Sequence, residues 1–197
     1  MPIAHFIYWG LLSYLLGSIP TGFLWAKARG IDIRTVGSGN IGATNVMRVL
    51  GKAPGISVLL IDAAKGFLPV FLAKEYGTGL QIVCCVAVIA GHNWTCWLNF
   101  KGGKGVATSA GALAAMLPWP MLCGLAVWIL VFGISRYVSL ASICGAVALP
   151  IATWWRTCDP ILIVFTGVLG VLIIYKHKPN IQRLLAGTEN RVGKKKI

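Results

Sequence analysis

The chain has 197 residues, of which 57% are hydrophobic and 12% are charged, whereas a soluble domain would carry about 25% charged residues. That composition excludes a soluble globule, and the length suits one helical bundle, residues 1–197, as a single domain in a lipid bilayer. Lys and Arg number 18 against 5 Asp and Glu, and because they lie between apolar runs, we expect lipid head groups or small anions as partners, and no nucleic acid.

Seven apolar runs predict transmembrane helices, because a helix needs about 20 apolar residues to cross the hydrocarbon core. The fourth run has only 12 residues and cannot span unaided at about 1.5 Å per residue. We expect it to lie buried within the bundle or to extend into its loops. In chain order the runs are 3–24, 55–72, 80–98, 106–117, 121–135, 138–154 and 160–175.

Basic residues set the predicted orientation of these runs. The loop 27–52 holds five Lys and Arg, and the tail after Tyr175 holds seven, three of them at 194–196. The positive-inside rule places both segments in the cytoplasm. We therefore predict an all-α, polytopic membrane helical bundle of about seven transmembrane helices, with the N-terminus out and the C-terminus in.

Two loops on the predicted cytoplasmic side are rich in glycine. Residues 37–45 read GSGNIGATN, with Arg48 shortly after, and residues 100–108 read FKGGKGVAT. Glycine lets backbone N–H groups converge on an anion, and a following helix start adds its positive dipole end. The loops can also be tight turns that allow close helix packing, but two of them on one face, each with basic residues, favour phosphate binding. Charges and hydrogen bonds would come from Lys101, Lys104, Ser38, Asn40, Thr44 and Asn45.

Known nucleotide-binding motifs do not account for these glycines. Gly37, Gly39 and Gly42 fit G-x-G-x-x-G, but a membrane span precedes them where the dinucleotide fingerprint requires a strand. The second loop is not a Walker A motif, because Gly105 follows Lys104 where Ser or Thr is required. The six cysteines are expected to be small hydrophobes within helices, and no metal site is predicted.

Four ionisable residues lie inside spans or at their ends. Asp62 and Lys65 are three residues apart within the second run, so they can pair on one helix face. They form either a structural pair or an indirect part of the site. His92 and His177 each lie at the cytoplasmic end of a span, beside a glycine-rich or basic segment, and each can be structural or functional.

Three strings together identify a family. They are GSGNIGATNVMR at 37–48, GH followed by FKGGKGVAT within 91–108, and KHKPNIQRLLAGTE at 176–189. A weaker match is RYVSLAS at 136–142. In this order and spacing the chain resembles the bacterial acyl-phosphate-dependent glycerol-3-phosphate acyltransferases, membrane enzymes of phospholipid synthesis. One departure is Thr95, where the family usually has proline, and this concerns a helix end more than the chemistry.

The resemblance implies the reaction and its place. A fatty acyl group passes from acyl phosphate to the 1-hydroxyl of sn-glycerol 3-phosphate, giving lysophosphatidic acid and phosphate without a cofactor, at the cytoplasmic face of the bacterial inner membrane. An acyl phosphate is a mixed anhydride and already activated, so no covalent nucleophile is needed. The protein must hold two anions together, neutralise their repulsion and stabilise the developing oxyanion.

The resemblance also implies which residues form the site. Lys104, with Gly102, Gly103 and Gly105, would bind the phosphate of the acyl donor. His177 and Asn180, one turn apart, would bind phosphate or orient the hydroxyl. The proton acceptor is either His177 or a phosphate oxygen of the donor itself. The remaining predicted binding residues are Ser38, Gly39, Asn40, Thr44, Asn45, Arg48, Lys101, Ser142 and Arg183, with His92 as a further candidate.

A transporter of organophosphates is the alternative reading of the same features, because it also needs anion sites between helices. A carrier requires polar access from both faces of the membrane. Here nearly all the polar groups lie on one predicted side, which favours the enzyme.

Overall fold

The computed structural model describes residues 2–193, and the regular secondary structure of this part of the chain consists of helices joined by loops, with no strand. The predicted all-α class is therefore confirmed, while Lys194, Lys195 and Lys196 of the predicted basic tail lie outside the described residues. Short 3-10 helices cover Ala73–Tyr76 and Cys96–Leu98. The α-helices are α1 Ile3–Ser18, α2 Thr21–Lys27, α3 Ala43–Leu50, α4 Lys52–Leu72, α5 Thr78–Asn93, α6 Val106–Met116, α7 Pro118–Ser135, α8 Val138–Thr157, α9 Pro160–Lys176 and α10 Lys178–Leu185.

Within residues 2–193, five helical segments are long and apolar enough to cross a membrane. They are Ile3–Lys27, Lys52–Tyr76, Thr78–Leu98, α7 and α8, and the pair α9 and α10, bent by 59°, makes a sixth. The multi-pass membrane bundle predicted from the apolar runs is confirmed. The fourth predicted run forms α6, an apolar helix of 11 residues, and it is as short as the sequence indicated.

The first apolar run is broken where the sequence predicted one helix. Pro20 lacks a backbone N–H and disfavours a helical conformation of the residue before it, so α1 ends at Ser18 and α2 begins at Thr21. Side chains from elsewhere satisfy the carbonyl groups that the break releases. Lys65 Nζ donates to Ile19 O at 2.9 Å, and Thr95 Oγ1 donates to Ser18 O at 2.5 Å.

The helices form two compact units along the chain. Unit 1, Met1–Met116, contains α1 to α6, and unit 2, Leu117–Ile197, contains α7 to α10. In unit 1, α1 packs along α5 and α4 packs along α6. In unit 2, α8 packs against both α7 and α9.

Glycines allow two helix crossings in unit 1 to be unusually close. At each of four glycines, a Cβ atom would overlap a carbonyl oxygen of the partner helix, so no larger residue fits without moving the helix. Gly133 of α7 and Gly167 of α9 differ, because a Cβ there would meet no heavy atom within 4 Å. The four overlaps are Gly17 with Val88 O, Gly91 with Tyr14 O, Gly66 with Thr108 O, and Gly111 with Ala63 O.

Candidate active site

The first glycine-rich loop is built around the side chain of Asn45. This side chain is 2% exposed, and its Oδ1 accepts hydrogen bonds from the Ser38 N–H at 2.8 Å and from Arg48 at 3.2 Å. Its Nδ2 donates to three backbone carbonyls. Asn45 was predicted to bind substrate, and its contacts show that it holds the loop in shape. The three carbonyls are those of Ile33, Val36 and Asn40.

Glycine is required at two positions of this loop. Gly37 and Gly39 have φ angles of +63° and +71°, which side chains other than glycine rarely adopt. A Cβ at Gly37 would also overlap Asn45 Oδ1. The predicted residues that the loop and α3 leave exposed are Ser38, Thr44 and Arg48.

Arg34, beside the same loop, is paired with Asp32. Their side chains lie 2.7 Å apart and are both exposed. Hydrogen bonds from Arg34 lower the pKa of Asp32 to about 2, so the carboxylate is ionised at neutral pH. The charge of Arg34 is thus balanced locally by Asp32.

The second glycine-rich loop lies on the C-terminal end of α5. The Gly103 N–H donates to His92 O at 3.0 Å, and the Gly102 N–H donates to Asn93 O at 3.2 Å. Gly105 has φ +78°, and a Cβ there would lie 2.7 Å from Asn93 Oδ1. The last two residues of α5 therefore form the floor of this loop.

The loop ends at the first turn of α6. Lys101 is exposed and Lys104 is half-buried, two residues before the helix begins at Val106. The first N–H groups of a helix have no intrahelical acceptor and carry the positive end of the dipole. Lys104, the glycines and this helix end are brought together, which is the arrangement that phosphate groups occupy in proteins.

Buried polar side chains lie under the second loop. Asp62 Oδ1 is 2.9 Å from Lys65 Nζ, so the predicted pair on one face of α4 is confirmed. His92 Nδ1 is 3.9 Å from the same oxygen and 3.1 Å from Thr108 Oγ1. All four residues are at most 6% exposed.

In unit 2, the predicted residues of the tail converge on Glu189. Its carboxylate accepts hydrogen bonds from Asn180 Nδ2 at 2.7 Å, from Arg183 Nε at 2.7 Å and from Ser139 Oγ at 2.8 Å. Burial raises the pKa of Glu189, but these hydrogen bonds and the charge of Arg183 outweigh it, so the pKa lies below its ordinary value. Glu189 is therefore an anion at neutral pH that holds Asn180 and Arg183.

His177 lies at the bend between α9 and α10 and is 3% exposed. Its Nδ1 lies 2.7 Å from Ile173 O, and because a carbonyl only accepts, Nδ1 carries the proton. The lone pair of the neutral ring is then on Nε2. The Asn180 N–H donates to His177 O at 2.8 Å, so the local backbone fixes these two predicted residues together.

Ser142 was also predicted to bind substrate, and its hydroxyl already has two partners. It donates to Val138 O at 2.8 Å and accepts from Trp128 Nε1 at 3.2 Å, which fastens α8 to α7. Sequence reasoning left Ser139 and Glu189 out of the site. Glu189 is the one acidic residue of a basic tail, and that contrast of charge could have drawn attention to it.

Comparisons with known proteins agree on one family. The family model described as glycerol-3-phosphate acyltransferase matches residues 7–187. The glycerol-3-phosphate acyltransferase of Desulforamulus reducens is 49% identical over 187 residues, covering 93% of this chain and 94% of that protein. That of Geobacter sulfurreducens is 47% identical over 182 residues, covering 91% and 94%.

Two solved structures share the fold. Both are crystal structures of PlsY (YgiH), an integral membrane glycerol 3-phosphate acyltransferase. The glycerol 3-phosphate form has a TM-score of 0.92 at 41% identity, and the lysophosphatidic acid form has a TM-score of 0.89 at 40% identity. Each match covers 96% of both chains.

Proposed function

Since the chain belongs to the glycerol-3-phosphate acyltransferase family, we infer that it transfers a fatty acyl group from acyl phosphate to the 1-hydroxyl of sn-glycerol 3-phosphate. The products are 1-acyl-sn-glycerol 3-phosphate and inorganic phosphate. The observation that carries this inference is the match, over nearly the whole chain, to a membrane acyltransferase solved with the acceptor and with the product of this reaction.

The reaction requires little covalent chemistry from the protein, because the acyl donor is already activated. The glycerol oxygen forms a bond to the carbonyl carbon, the bond from that carbon to the phosphate oxygen breaks, and the hydroxyl proton passes to a base. Phosphate is a good leaving group, so the remaining barrier lies in bringing two anions together and stabilising the oxyanion.

Unit 1 supplies the sites for anions in this proposal. Lys104, together with Gly105, binds the phosphate of the acyl donor, while Gly102 and Gly103 shape the loop, because their N–H groups donate to Asn93 O and His92 O. The first loop offers Ser38, Thr44 and Arg48 to the other substrate. The support is the exposure of these three side chains and the position of the Lys101–Gly105 loop at the start of α6. The first loop takes its shape from Gly39, Asn40 and Asn45. Lys101 adds positive charge to the second loop.

The other residues of the proposed chemistry are His177, Asn180 and Arg183. His177 either accepts the hydroxyl proton at Nε2 or donates a hydrogen bond to phosphate, and the Nδ1 contact with Ile173 O supports the first role. Glu189 keeps Asn180 and Arg183 in place through the contacts described above. Ser142 is the least supported member, because its hydroxyl already fastens two helices.

The acyl donor provides the first test. Purified protein in detergent should form lysophosphatidic acid from long-chain acyl phosphate and glycerol 3-phosphate, without CoA, carrier protein, nucleotide or added metal. The donor already contains the activated bond, so none of these has a role. Product formation is followed by mass spectrometry, with acyl-CoA as the matched donor control. Activity with acyl-CoA alone would contradict the proposed donor.

We further propose that the site faces the cytoplasm of the bacterial inner membrane, with seven spans, the N-terminus outside and the C-terminus inside. The distribution of basic residues supports this orientation, because the loop 27–52 and the segment after α9 then lie on one side. The proposed count of seven includes α6, although at about 1.5 Å per residue its helix alone covers about half of a hydrocarbon core of about 30 Å, so the loops at its ends complete the crossing.

Cys158 allows this topology to be tested on the natural chain. It is exposed in the turn between α8 and α9, which the proposed orientation places outside. A membrane-impermeant maleimide should label Cys158 in intact spheroplasts, and Cys158→Ser should remove that labelling. A reporter protein fused after Ile197 should lie in the cytoplasm and should show activity there and none outside. A C-terminal reporter active outside would contradict the orientation.

A further inference from the structure

The His92 ring occupies the place where Gly103 would carry a side chain. A Cβ built on Gly103 would overlap His92 Nε2, and the two next nearest atoms, at 3.0 and 3.1 Å, are carbons of the same ring. The backbone of His92 also contacts this residue, because its carbonyl accepts the Gly103 N–H at 3.0 Å. One residue of α5 therefore contacts Gly103 through both its ring and its main chain.

Two helices besides its own, α4 and α6, hold the His92 ring in this place. Thr108 of α6 contacts Nδ1 at 3.1 Å, and Asp62 of α4 lies 3.9 Å away. Lys65 fixes Asp62 at 2.9 Å and reaches back to Ile19 O at the break between α1 and α2. The contacts form a continuous buried series from the broken first span to the glycine-rich loop.

The surroundings leave these side chains little room to shift. Asp62 and Thr108 lie at the α4–α6 crossing, where Gly66 lets the two helices approach until a Cβ would overlap the Thr108 carbonyl. Close-packed interiors transmit displacements because they contain few voids. A change in the His92 ring should therefore be felt at Gly103 rather than absorbed beneath it.

We propose that His92 is a positioning residue, which sets the height and orientation of the Gly103 peptide and thereby of the Lys104 ammonium group. This proposal rests on the proposed role of the loop in binding a substrate phosphate. His92 acts through the loop and not on the reacting atoms, because its Nδ1 faces Thr108 and its Nε2 faces Gly103. A misplacement of about 1 Å in a site of this kind can cost about a hundredfold in rate.

The test consists of two double-mutant cycles. His92→Ala should rescue Gly103→Ala in the first cycle and should not rescue Gly102→Ala in the second. Gly103→Ala should lower kcat/KM about a hundredfold, because its methyl group meets the imidazole. His92→Ala should lower it about tenfold by leaving the loop unsupported. The double variant should be at least tenfold more active than Gly103→Ala, because the methyl group then occupies space that the ring has vacated.

Gly102 provides the matched control for this rescue. A Cβ at Gly102 would overlap the backbone carbonyl oxygen of His92, which remains when the ring is removed. His92→Ala should therefore give no rescue of Gly102→Ala. Additive losses in the Gly103 cycle, or equal rescue in both cycles, would overturn the positioning role.

A milder variant and a binding measurement guard against misfolding. Thr108→Val keeps the side-chain volume in α6 and removes only the contact with His92 Nδ1. The concentration of inorganic phosphate needed for half-inhibition should rise several-fold. The unfolding temperature should not change. An unchanged phosphate response would contradict the proposal. Lys104→Ala tests phosphate binding by the loop separately from the positioning role of His92. Normal activity of that variant would contradict phosphate binding by the loop, whatever the His92 cycle shows.

Discussion

Replacing Lys104 with alanine is expected to reduce kcat/KM by about a hundredfold or more. One lost hydrogen bond to a charged group costs about 1.5–3 kcal/mol, and each 1.36 kcal/mol corresponds to about tenfold in rate. The substrates carry two phosphate groups, so the loss should lie at the upper end of this range or beyond. Steady-state kinetics with each substrate varied in turn will show which phosphate Lys104 binds, because the KM of that substrate should rise.

Two further lysine variants make this result specific. Lys104→Arg keeps the charge but places a planar guanidinium group where the glycines leave room for a compact ammonium group. It should therefore restore little activity. Lys52→Ala removes an exposed lysine at the start of α4 and should retain nearly full activity. A Lys104→Ala enzyme with normal rates beside an impaired Lys52→Ala enzyme would place the anion site elsewhere.

Replacing His177 with alanine is the other change with a large expected effect. A positioned general base contributes about 10²- to 10⁴-fold, and the contact of Nδ1 with Ile173 O leaves Nε2 as the proton-accepting nitrogen. If His177 is the base, the variant should lose mainly kcat, wild-type kcat/KM should fall at acidic pH, and this fall should be absent from the variant. Rates measured across pH in detergent will show this.

The alternative base gives a different pattern in the same experiment. If a phosphate oxygen of the donor takes the proton, His177→Ala should lose affinity for substrate, and the decline at acidic pH should remain. His5→Ala is the control, because His5 is exposed near the start of α1. Full activity of His177→Ala would exclude His177 from both binding and proton transfer.

Hydropathy predicted most of the fold because it reports the average environment of a segment. It located the six long segments and the short α6, but it could not locate the break at Pro20. A break in a membrane helix is possible only if its free carbonyls find partners. Here those partners are Lys65 and Thr95, which lie 46 and 77 residues further along the chain. No local pattern contains that information.

Some parts of the candidate site depend on consecutive residues, and others depend on residues that are distant in the chain. Glycine and lysine patterns located both loops, because the chemistry of each is contained in a few consecutive residues. The role of Glu189 depends instead on Ser139, fifty residues earlier, and became visible only when the tail was seen to fold back onto α8. Asn45 was predicted to supply a hydrogen bond to substrate, and its buried contacts with the Ser38 N–H and with three backbone carbonyls depend on how the preceding loop folds around it.

The glycines at the helix crossings decide how this protein can be engineered for heat resistance. Exchanging glycine for alanine in a helix is an ordinary route to a more stable protein, with gains of about 0.4–1 kcal/mol per site where the alanine is accommodated. Gly17, Gly66, Gly91 and Gly111 are closed to that route, because a methyl group would separate the helices. Gly133 and Gly167 are open to it, and a thermostable variant should be sought there first.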